Sequence, residues 1–343
     1  MLSNIRDLCA LFGPSGCEDE VRRAIQDKAA PYADRMEVDA MGNVLIFKKG
    51  KKAPQKPVLL AAHMDEVGLI IKRIGDEGML QFGFVGGVDR RIAIGRRVLI
   101  GKNRKLGVIG IKAVHLTKAE ERKTAPKADE LYIDIGASSK EEALLSVSPG
   151  DYGVFDSAFL PLAGDRFKAR AIDDRAGCAV LLSLLAEELP VDTWFAFTTQ
   201  EEVGCRGAHA VAYGIQPGRV LVVETTTAAD LPEVEDHLKV CSLGRGAVIS
   251  FMDRGTIYPP SDFRRFTTAA DRAGIPWQTK TVVAGGNDAS IFHKALGGAR
   301  TLNVSIPVRY LHSPASVASL ADCEGALALT RLFLREFGDD ENV

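Results

Sequence analysis

Five short segments of the 343-residue chain place metal-competent side chains directly after apolar runs. Such positions are informative because ligands of open α/β sheets bind outside the carboxyl ends of the strands. Imidazole and carboxylate groups are common ligands of zinc in proteins. The segments are AAHMDE, ARAIDDR, TTQEEVG, LVVETT and RYLHSP, and their candidate residues are His63, Asp65, Asp173, Asp174, Glu201, Glu202, Glu224 and His312. Together they predict a site for divalent cations.

The spacing within two of these segments supports the same chemistry. His63 and Asp65 are two residues apart, so they share one face of an extended strand, where a carboxylate can hold an imidazole in its metal-binding tautomer. Asp173 and Asp174 precede an apolar helix, and burying both carboxylates is costly unless a cation or Arg175 compensates. The alternative is that Asp173 only caps that helix.

The adjacent pair Glu201 and Glu202 can divide two tasks, since neighbouring side chains point in different directions. One can bind metal while the other transfers protons. A hydrolase with two metals needs a bridging carboxylate, further ligands for each ion and a base for the attacking water, and the candidate set supplies all of them. The remaining histidines lack a comparable carboxylate motif and are predicted to be structural: His115, His209, His237 and His293.

Other catalytic classes find little support in the sequence. Cys178 lies in an apolar helical pattern, and Cys205 follows the glutamate pair without a neighbouring histidine, so both are interpreted as bystander thiols. The sequence contains no GxSxG motif and no P-loop, and GGNDAS at 285–290 lacks the GxGxxG form. Serine hydrolase, NTPase and dinucleotide-binding functions are therefore not predicted.

The composition limits the partners and the compartment. With 43 basic and 45 acidic residues, the net charge of -2 provides no field that would attract nucleic acid or an anionic membrane. The first residues lack the continuous apolar core of a signal peptide, and no apolar run approaches the ~20 residues that span a bilayer. Six scattered cysteines without CxxC spacing favour free thiols. We expect a cytoplasmic protein that binds neither nucleic acid nor membrane.

The periodicity of the sequence predicts how these residues are positioned. Two amphipathic helices open the chain, and strands follow at 43–47 and 57–64. Short alternating runs then predict an all-β insertion from 67 to 164. After it, helices alternate with strands: the helices are 176–189, GAHAVAYG, DFRRFTTAADRAG and CEGALALTRLFLREF, and the strands are DTWFAFTTQ, RVLVVE and WQTKTVVAG. This succession is typical of an α/β fold with helices on both faces of an open sheet.

Six motifs, in order and in register over nearly the whole chain, resemble those of one known family. They are GPSGCEDEVR, AHMDEVG, AIDDRAG, TTQEEVGCRGA, AGGNDA and RYLHSP. The family is that of the tetrahedral glutamyl and deblocking aminopeptidases, dinuclear zinc exopeptidases that are also labelled endoglucanase-like or cellulase M. The resemblance implies a zinc-exopeptidase-type catalytic domain with a mixed sheet at 1–66 and 165–343. A β-rich, barrel-like or PDZ-like dimerisation domain at 67–164 would interrupt it.

The resemblance also implies a ligand set, carried over motif by motif. His63 and Glu224 would bind one metal ion, Glu202 and His312 would bind the other, and Asp173 would bridge the two. Many relatives carry Asp where this chain has Glu224. Because Glu offers the same oxygen donors on a longer side chain, we expect binding to survive with an altered metal distance or preference.

Further roles follow from the same resemblance. Glu201 would be the general base, Asp65 would orient His63, and the loop with Gly286 and Asp288 would border the substrate pocket.

Two details concern the loops around the metals. Asp174 would follow Asp173 through a cis peptide bond. Asp230, in AADLP, is the alternative ligand if Glu224 does not bind metal, although we expect it to support its loop.

The predicted function is a metal-dependent aminopeptidase that removes N-terminal residues from peptides with a water activated between two divalent ions. Zinc suits the mixed imidazole and carboxylate set, and cobalt or manganese could also occupy it. The alternatives are a metal-dependent deacylase, a glycan-acting hydrolase or a non-catalytic scaffold. The resemblance further implies a homo-oligomer in which dimers form a dodecamer. The sequence leaves acidic, basic and apolar side-chain preferences open.

Overall fold

The computed structural model describes residues 1–339, so the last four residues of the predicted catalytic region lie outside the described part. The helices are α1 Leu2–Ala10, α2 Asp19–Ala29, α3 Arg90–Ala93, α4 Lys140–Leu144, α5 Ile172–Leu185, α6 Arg206–Ile215, α7 Pro260–Arg272, α8 Ala289–Phe292 and α9 Leu320–Phe337. The first strands are β1 Arg35–Val38, β2 Val44–Lys48, β3 Val58–His63, β4 Gly68–Ile74, β5 Leu80–Val85, β6 Arg97–Ile100, β7 Lys105–Ile111, β8 Leu131–Asp134 and β9 Tyr152–Phe155. The others are β10 Leu160–Pro161, β11 Arg166–Ala169, β12 Thr193–Thr198, β13 Arg219–Thr227, β14 Ala247–Ile249, β15 Trp277–Gln278, β16 Arg300–Val308 and β17 Ser316–Ser319.

An eight-stranded mixed sheet forms the centre of the molecule, in the order β1-β2-β12-β3-β13-β16-β14-β15. Its four middle strands, β12, β3, β13 and β16, are parallel to one another. All six residues of β3 are buried, as expected of a parallel strand that is covered on both faces. The carboxyl ends of four strands therefore meet at one edge of the sheet.

Helices cover this sheet on two sides. On one side, α5 packs against β3 and β13 and contacts α1 and α9, and on the other α6 and α8 pack against each other and against the sheet. Nearly all of α5 is buried, which accounts for its apolar residues all round the helix. The predicted α/β fold with a mixed sheet and helices on both faces is confirmed.

The predicted β-rich insertion contains a closed barrel. Six antiparallel strands close in the order β4-β5-β8-β7-β6-β9. The barrel has a hydrophobic core of its own, which includes Leu69, Phe82, Val98 and Ile133. A small sheet of β10, β11 and β17 lies beyond it in the chain.

Two predicted elements differ from the structure. The apolar helix begins at Ile172 instead of 176, but Asp173 and Asp174 within its first turn have non-helical backbone angles. The prediction that WQTKTVVAG is one strand is wrong, because only Trp277–Gln278 pairs with the sheet. Beyond it the chain turns, and the buried Lys280 ammonium donates a hydrogen bond to the carbonyl of Ala284 at 3.2 Å.

No helix within residues 1–339 is long and apolar enough to cross a membrane.

Candidate active site

The sheet brings the predicted residues together at the carboxyl ends of its parallel strands. His63 is the last residue of β3 and lies level with Thr198, the last residue of β12, which is followed by the glutamate pair. Glu224 lies in β13 beside β16, and the loop after β16 carries His312. Four strands and the start of α5 thus contribute to one site.

His63 is only 2% exposed and contacts three carboxylates. Its Nε2 lies 3.2 Å from Asp173 Oδ1 and 3.1 Å from Glu224 Oε1, while its Nδ1 lies 3.4 Å from Asp65 Oδ1. Burial opposes the charged imidazolium, but these carboxylates outweigh it and raise the pKa of His63 well above its ordinary value. The ring therefore presents one nitrogen to Asp65 and the other to the predicted ligands.

His312 contacts the same cluster from the opposite side. Its Nε2 lies 3.1 Å from Asp173 Oδ2 and 3.2 Å from Glu202 Oε2. Its Nδ1 donates a hydrogen bond to the carbonyl of Gly87 at 3.0 Å, which fixes the tautomer. Despite the opposing effect of burial, Asp173 and Glu202 raise the pKa of His312 to about 9.

Asp173 lies between the two imidazoles. One of its oxygens faces His63 and the other faces His312. The imidazoles outweigh its burial and hold the pKa of Asp173 well below its usual range. The peptide bond between Asp173 and Asp174 is cis, as the resemblance implied. This carboxylate therefore has the position that a ligand shared by two ions requires.

Asp65 links His63 to the loop that carries the glutamate pair. Its oxygens accept hydrogen bonds from the backbone N–H groups of Glu201 at 3.0 Å and Glu202 at 3.2 Å. The Ser15 hydroxyl donates a further bond of 2.6 Å. Asp65 is thus placed to orient both the first histidine and the two glutamates.

Burial disfavours the ionised form of the remaining carboxylates when no cation is bound. It raises the pKa of Glu202 to about 8 and that of Glu224 to about 7, with the neighbouring Asp173 acting in the same direction. Burial, together with the Glu224 charge, also raises the pKa of Glu201 well above its ordinary value. Ionising all of these buried carboxylates requires more compensating positive charge than the two imidazoles supply.

The donor atoms fit divalent cations. Two ligand atoms about 2.1 Å from one tetrahedral zinc ion lie roughly 3.4 Å apart. The imidazole nitrogens here lie 3.1 to 3.2 Å from the carboxylate oxygens of Asp173, Glu202 and Glu224. In addition, Glu202 Oε1 and Glu224 Oε2 are buried without a hydrogen-bond partner among the described residues. These oxygens are the kind of donor that a cation would satisfy.

A cavity of about 480 Å³ opens beside these side chains. Asp173, Glu201 and His312 line it, as does Gly286 of the predicted pocket loop. Asp288 is absent from the lining residues and lies deeper, where it accepts a 2.6 Å hydrogen bond from the Thr198 hydroxyl. The cavity therefore gives a substrate direct access to the candidate ligands and to Glu201.

Of the remaining candidates, Asp174 lies within ligand reach of His63 and Glu224, whereas Asp230 and the other histidines lie outside the cluster. Asp230 bonds Arg309 through both oxygens at 2.6 Å, so it supports its loop as expected. None of the four remaining histidines belongs to a group of potential metal ligands in the described part of the chain.

Sequence reasoning missed several groups that shape the site. The Gly87 carbonyl, which lies just beyond β5 of the barrel, gives no side-chain signal. Lys280 and Arg254 line the cavity but lie in segments without a recognisable motif. Only Ser15 carried a usable signal, because it belongs to the GPSGCEDEVR motif.

Comparison with known proteins gives consistent results. A family model described as M42 glutamyl aminopeptidase matches residues 42–329. A lysyl aminopeptidase of Pyrococcus furiosus is 32% identical over 94% of this chain and 94% of its own length.

Solved structures of known aminopeptidases and peptidases are similar to this protein over nearly its whole chain. An aminopeptidase from the archaeon Desulfurococcus kamchatkensis has a TM-score of 0.92 at 36% identity, covering 97% of this chain and 94% of that one. The TET1 peptidase of Pyrococcus horikoshii, which can assemble into a tetrahedron or a large octahedral shell, has a TM-score of 0.84 at 35% identity. That match covers 97% of this chain and 98% of the other.

Proposed function

The chain belongs to the M42 glutamyl aminopeptidase family and is a metal-dependent aminopeptidase, and we propose that two divalent ions per subunit carry its reaction. The observation that supports two ions is the position of Asp173, whose two oxygens face two different imidazoles at 3.2 and 3.1 Å. A carboxylate held in this way can bridge neighbouring ions, an arrangement typical of two-metal hydrolases.

The proposed ligands divide between the two ions according to their contacts. His63 and Glu224, which lie 3.1 Å apart, would hold the first ion. Glu202 and His312, which lie 3.2 Å apart, would hold the second, and Asp173 would bind both. This assignment uses every short contact between an imidazole and a carboxylate oxygen in the cluster apart from that of Asp65, which orients His63 through its other nitrogen.

Bound divalent ions would supply positive charge that polarises the scissile carbonyl and lowers the pKa of the attacking water. Glu201 is proposed to take the proton of that water. Its side chain lines the cavity, and its Oε2 stays 4.0 Å from His63 Nε2, outside the short contacts of the ligands. Burial and the Glu224 charge raise the pKa of this carboxylate, which makes its ionised form a stronger proton acceptor.

The same carboxylate would then return the proton to the leaving amine. Asp65 accepts a 3.0 Å hydrogen bond from the backbone N–H of Glu201. This bond fixes the position of the backbone that carries the proposed base. Asp65 is therefore proposed to position Glu201 as well as His63.

The cations are proposed to be zinc, with cobalt or manganese as alternatives. The cluster offers imidazole nitrogen and carboxylate oxygen and no thiolate, so it does not select strongly among these ions. The longer side chain of Glu224 is a feature of this chain that could shift the preference.

The lining of the cavity supports a preference for peptides with an acidic N-terminal residue. Arg254 and Lys280 both line it, and Lys280 is only 5% exposed. Burial lowers the pKa of Lys280, while the charges of Asp253 and Glu224 favour its protonated form. A carboxylate side chain of the substrate could form charge-assisted hydrogen bonds with these cations.

The protein is further proposed to form dimers through its barrel, and these dimers are proposed to assemble into a dodecamer. Several apolar side chains of this region are exposed: Leu106, Val108, Val114, Leu116 and Leu145. Exposed apolar patches of this kind mark protein interaction surfaces. The tetrahedral assembly of the P. horikoshii peptidase supports this proposal.

The six cysteines are unpaired, which supports the proposed cytoplasmic location, where thiols stay reduced. A deacylase or a glycan-acting hydrolase is not favoured, because the family and the relatives compared above are aminopeptidases.

Hydrolysis of amino-acid p-nitroanilides tests this function. Protein stripped with a chelator should be inactive, and resupplied Zn²⁺, Co²⁺ or Mn²⁺ should restore release of p-nitroaniline, with glutamyl and aspartyl substrates preferred. Metal-independent hydrolysis would overturn the proposed chemistry. Restored hydrolysis with lysyl substrates preferred would overturn only the assignment of Arg254 and Lys280.

A further inference from the structure

A second group of potential ligands lies beside the proposed metal pair. It consists of Glu201, Cys205 and Asp288, and one ligand atom from each lies within 4.8 Å of the others. The Cys205 sulfur is 3.3 Å from Glu201 Oε1. None of the five proposed ligands of the metal pair belongs to this group.

Asp288 supplies an independent sign that the group can hold a ligand. The residue is only 2% exposed, and its Oδ2 accepts a hydrogen bond from the Thr198 hydroxyl. Its Oδ1 is buried and makes no well-formed hydrogen bond within residues 1–339, although the Cys205 thiol lies close enough to Asp288 to favour its charged form. An unsatisfied buried carboxylate oxygen costs free energy, and a cation in this position would remove that cost.

Cys205 makes the group chemically different from the proposed metal pair. It is one of the lining residues of the cavity, so an ion can reach it from solvent. Burial and the nearby carboxylates of Asp288 and Glu201 raise the pKa of its thiol, so the sulfur binds a cation only when that cation displaces the thiol proton. Thiolate combined with carboxylate prefers thiophilic cations such as Zn²⁺ and Cd²⁺ to Mg²⁺ or Mn²⁺.

We propose that Glu201, Cys205 and Asp288 form a third, inhibitory cation site that takes a thiophilic divalent ion. When the ion binds, the Cys205 thiol releases its proton to solvent and a metal–sulfur bond forms. The inhibitory part rests on the proposed function, because it follows from the role of Glu201 as general base.

The consequence is loss of activity at excess zinc or cadmium. An ion in this site occupies the Glu201 carboxylate, which can then no longer accept the proton of the attacking water. General-base catalysis is worth about 10²- to 10⁴-fold in rate, so saturation of the third site should lower turnover at least about 100-fold.

The test uses full-length protein loaded with two equivalents of Co²⁺ and then titrated with Cd²⁺. Bound ions are counted after desalting, and the ultraviolet charge-transfer band of a cadmium–thiolate bond is recorded along with peptidase activity. Cys205→Ala removes the sulfur. Cys17→Ala is the matched control, because Cys17 is the other cysteine that is not fully buried.

We expect the wild type and Cys17→Ala to bind one ion more than Cys205→Ala and to show the thiolate band and the inhibition. Cys205→Ala should lack the band and keep its turnover within about threefold on adding Cd²⁺, since the general base then stays free. Equal ion counts in all three proteins, or a band that persists in Cys205→Ala, would overturn the third site. The metal pair is tested separately by the two ions that Cys205→Ala should retain.

Discussion

Replacing Glu201 by Gln separates proton transfer from metal binding. Gln has nearly the same shape but cannot accept the proton of the attacking water. The proposed ligands should be undisturbed, because the contacts of His63 and His312 with Asp173 do not involve Glu201. The backbone N–H of residue 201 can still donate to Asp65.

The size of the expected loss follows from the role assigned to this carboxylate. General-base catalysis contributes about 10²- to 10⁴-fold, which is about 2.7 to 5.5 kcal/mol in the activation free energy. Glu201→Gln should therefore lower kcat on glutamyl p-nitroanilide by at least about 100-fold. Plasma mass spectrometry should still count two ions per chain.

The neighbouring Glu202→Gln is the matched control. Its Oε2 lies 3.2 Å from His312 Nε2, so the substitution should weaken binding of one ion and reduce the metal count. Turnover of Glu201→Gln within about tenfold of the wild type would refute the assignment of the base. A metal loss equal to that of Glu202→Gln would refute the division of roles between the two glutamates.

Three further outcomes are expected. Lys280→Met should lower kcat/KM for glutamyl p-nitroanilide by about 10- to 100-fold and for leucyl p-nitroanilide much less. The reason is that a hydrogen bond to a charged group is worth about 1.5 to 3 kcal/mol. Equal losses for the two substrates would argue against recognition of the substrate carboxylate by Lys280. Burial lowers the pKa of His312, but Asp173 and Glu202 outweigh it and raise that pKa to about 9 in the metal-free protein, and only neutral imidazole binds metal. Zinc affinity should therefore rise with pH up to that value, by about tenfold per pH unit for each proton released. Calorimetry in buffers of different ionisation enthalpy should detect the released protons. A pH-independent affinity would contradict the assignment of His312 as a ligand. Arg175→Met should lower the free energy of unfolding of the metal-free protein, measured by urea denaturation, by about 3 to 5 kcal/mol. The substitution removes a fully buried guanidinium that bonds Glu66 and the carbonyls of Leu8 and Met64. A decrease below about 1 kcal/mol would contradict this role.

Sequence-based prediction was most accurate for metal-competent residues that lie in a clearly recognisable strand. His63 ends a six-residue apolar run, and Glu224 lies in another, so their shared edge of the sheet could be inferred before the strand order was known. The apolar helix was placed a few residues late, but the irregular backbone at Asp173 and Asp174 brings its regular part close to the predicted start.

Features that depend on long-range packing could not be predicted. The Gly87 carbonyl orients His312 across 225 residues of sequence separation, and a backbone carbonyl has no sequence signature. Lys280 falls within the predicted strand WQTKTVVAG, whereas the chain turns there to line the cavity. Cys205 is interpreted from the sequence as a bystander because it has no neighbouring histidine, and Asp288, on which the proposed third site depends, is remote from it in sequence.

The most direct test of the two-metal account is a titration of chelator-stripped protein with Zn²⁺, in which bound ions and hydrolysis of glutamyl p-nitroanilide are measured at each step. The account predicts that activity is greatest when two ions are bound per chain, that further Zn²⁺ enters only the third site and inhibits, and that His63→Ala and His312→Ala each bind fewer ions and lose activity. Full activity with a single bound ion, or two tightly bound ions in both histidine variants, would contradict it.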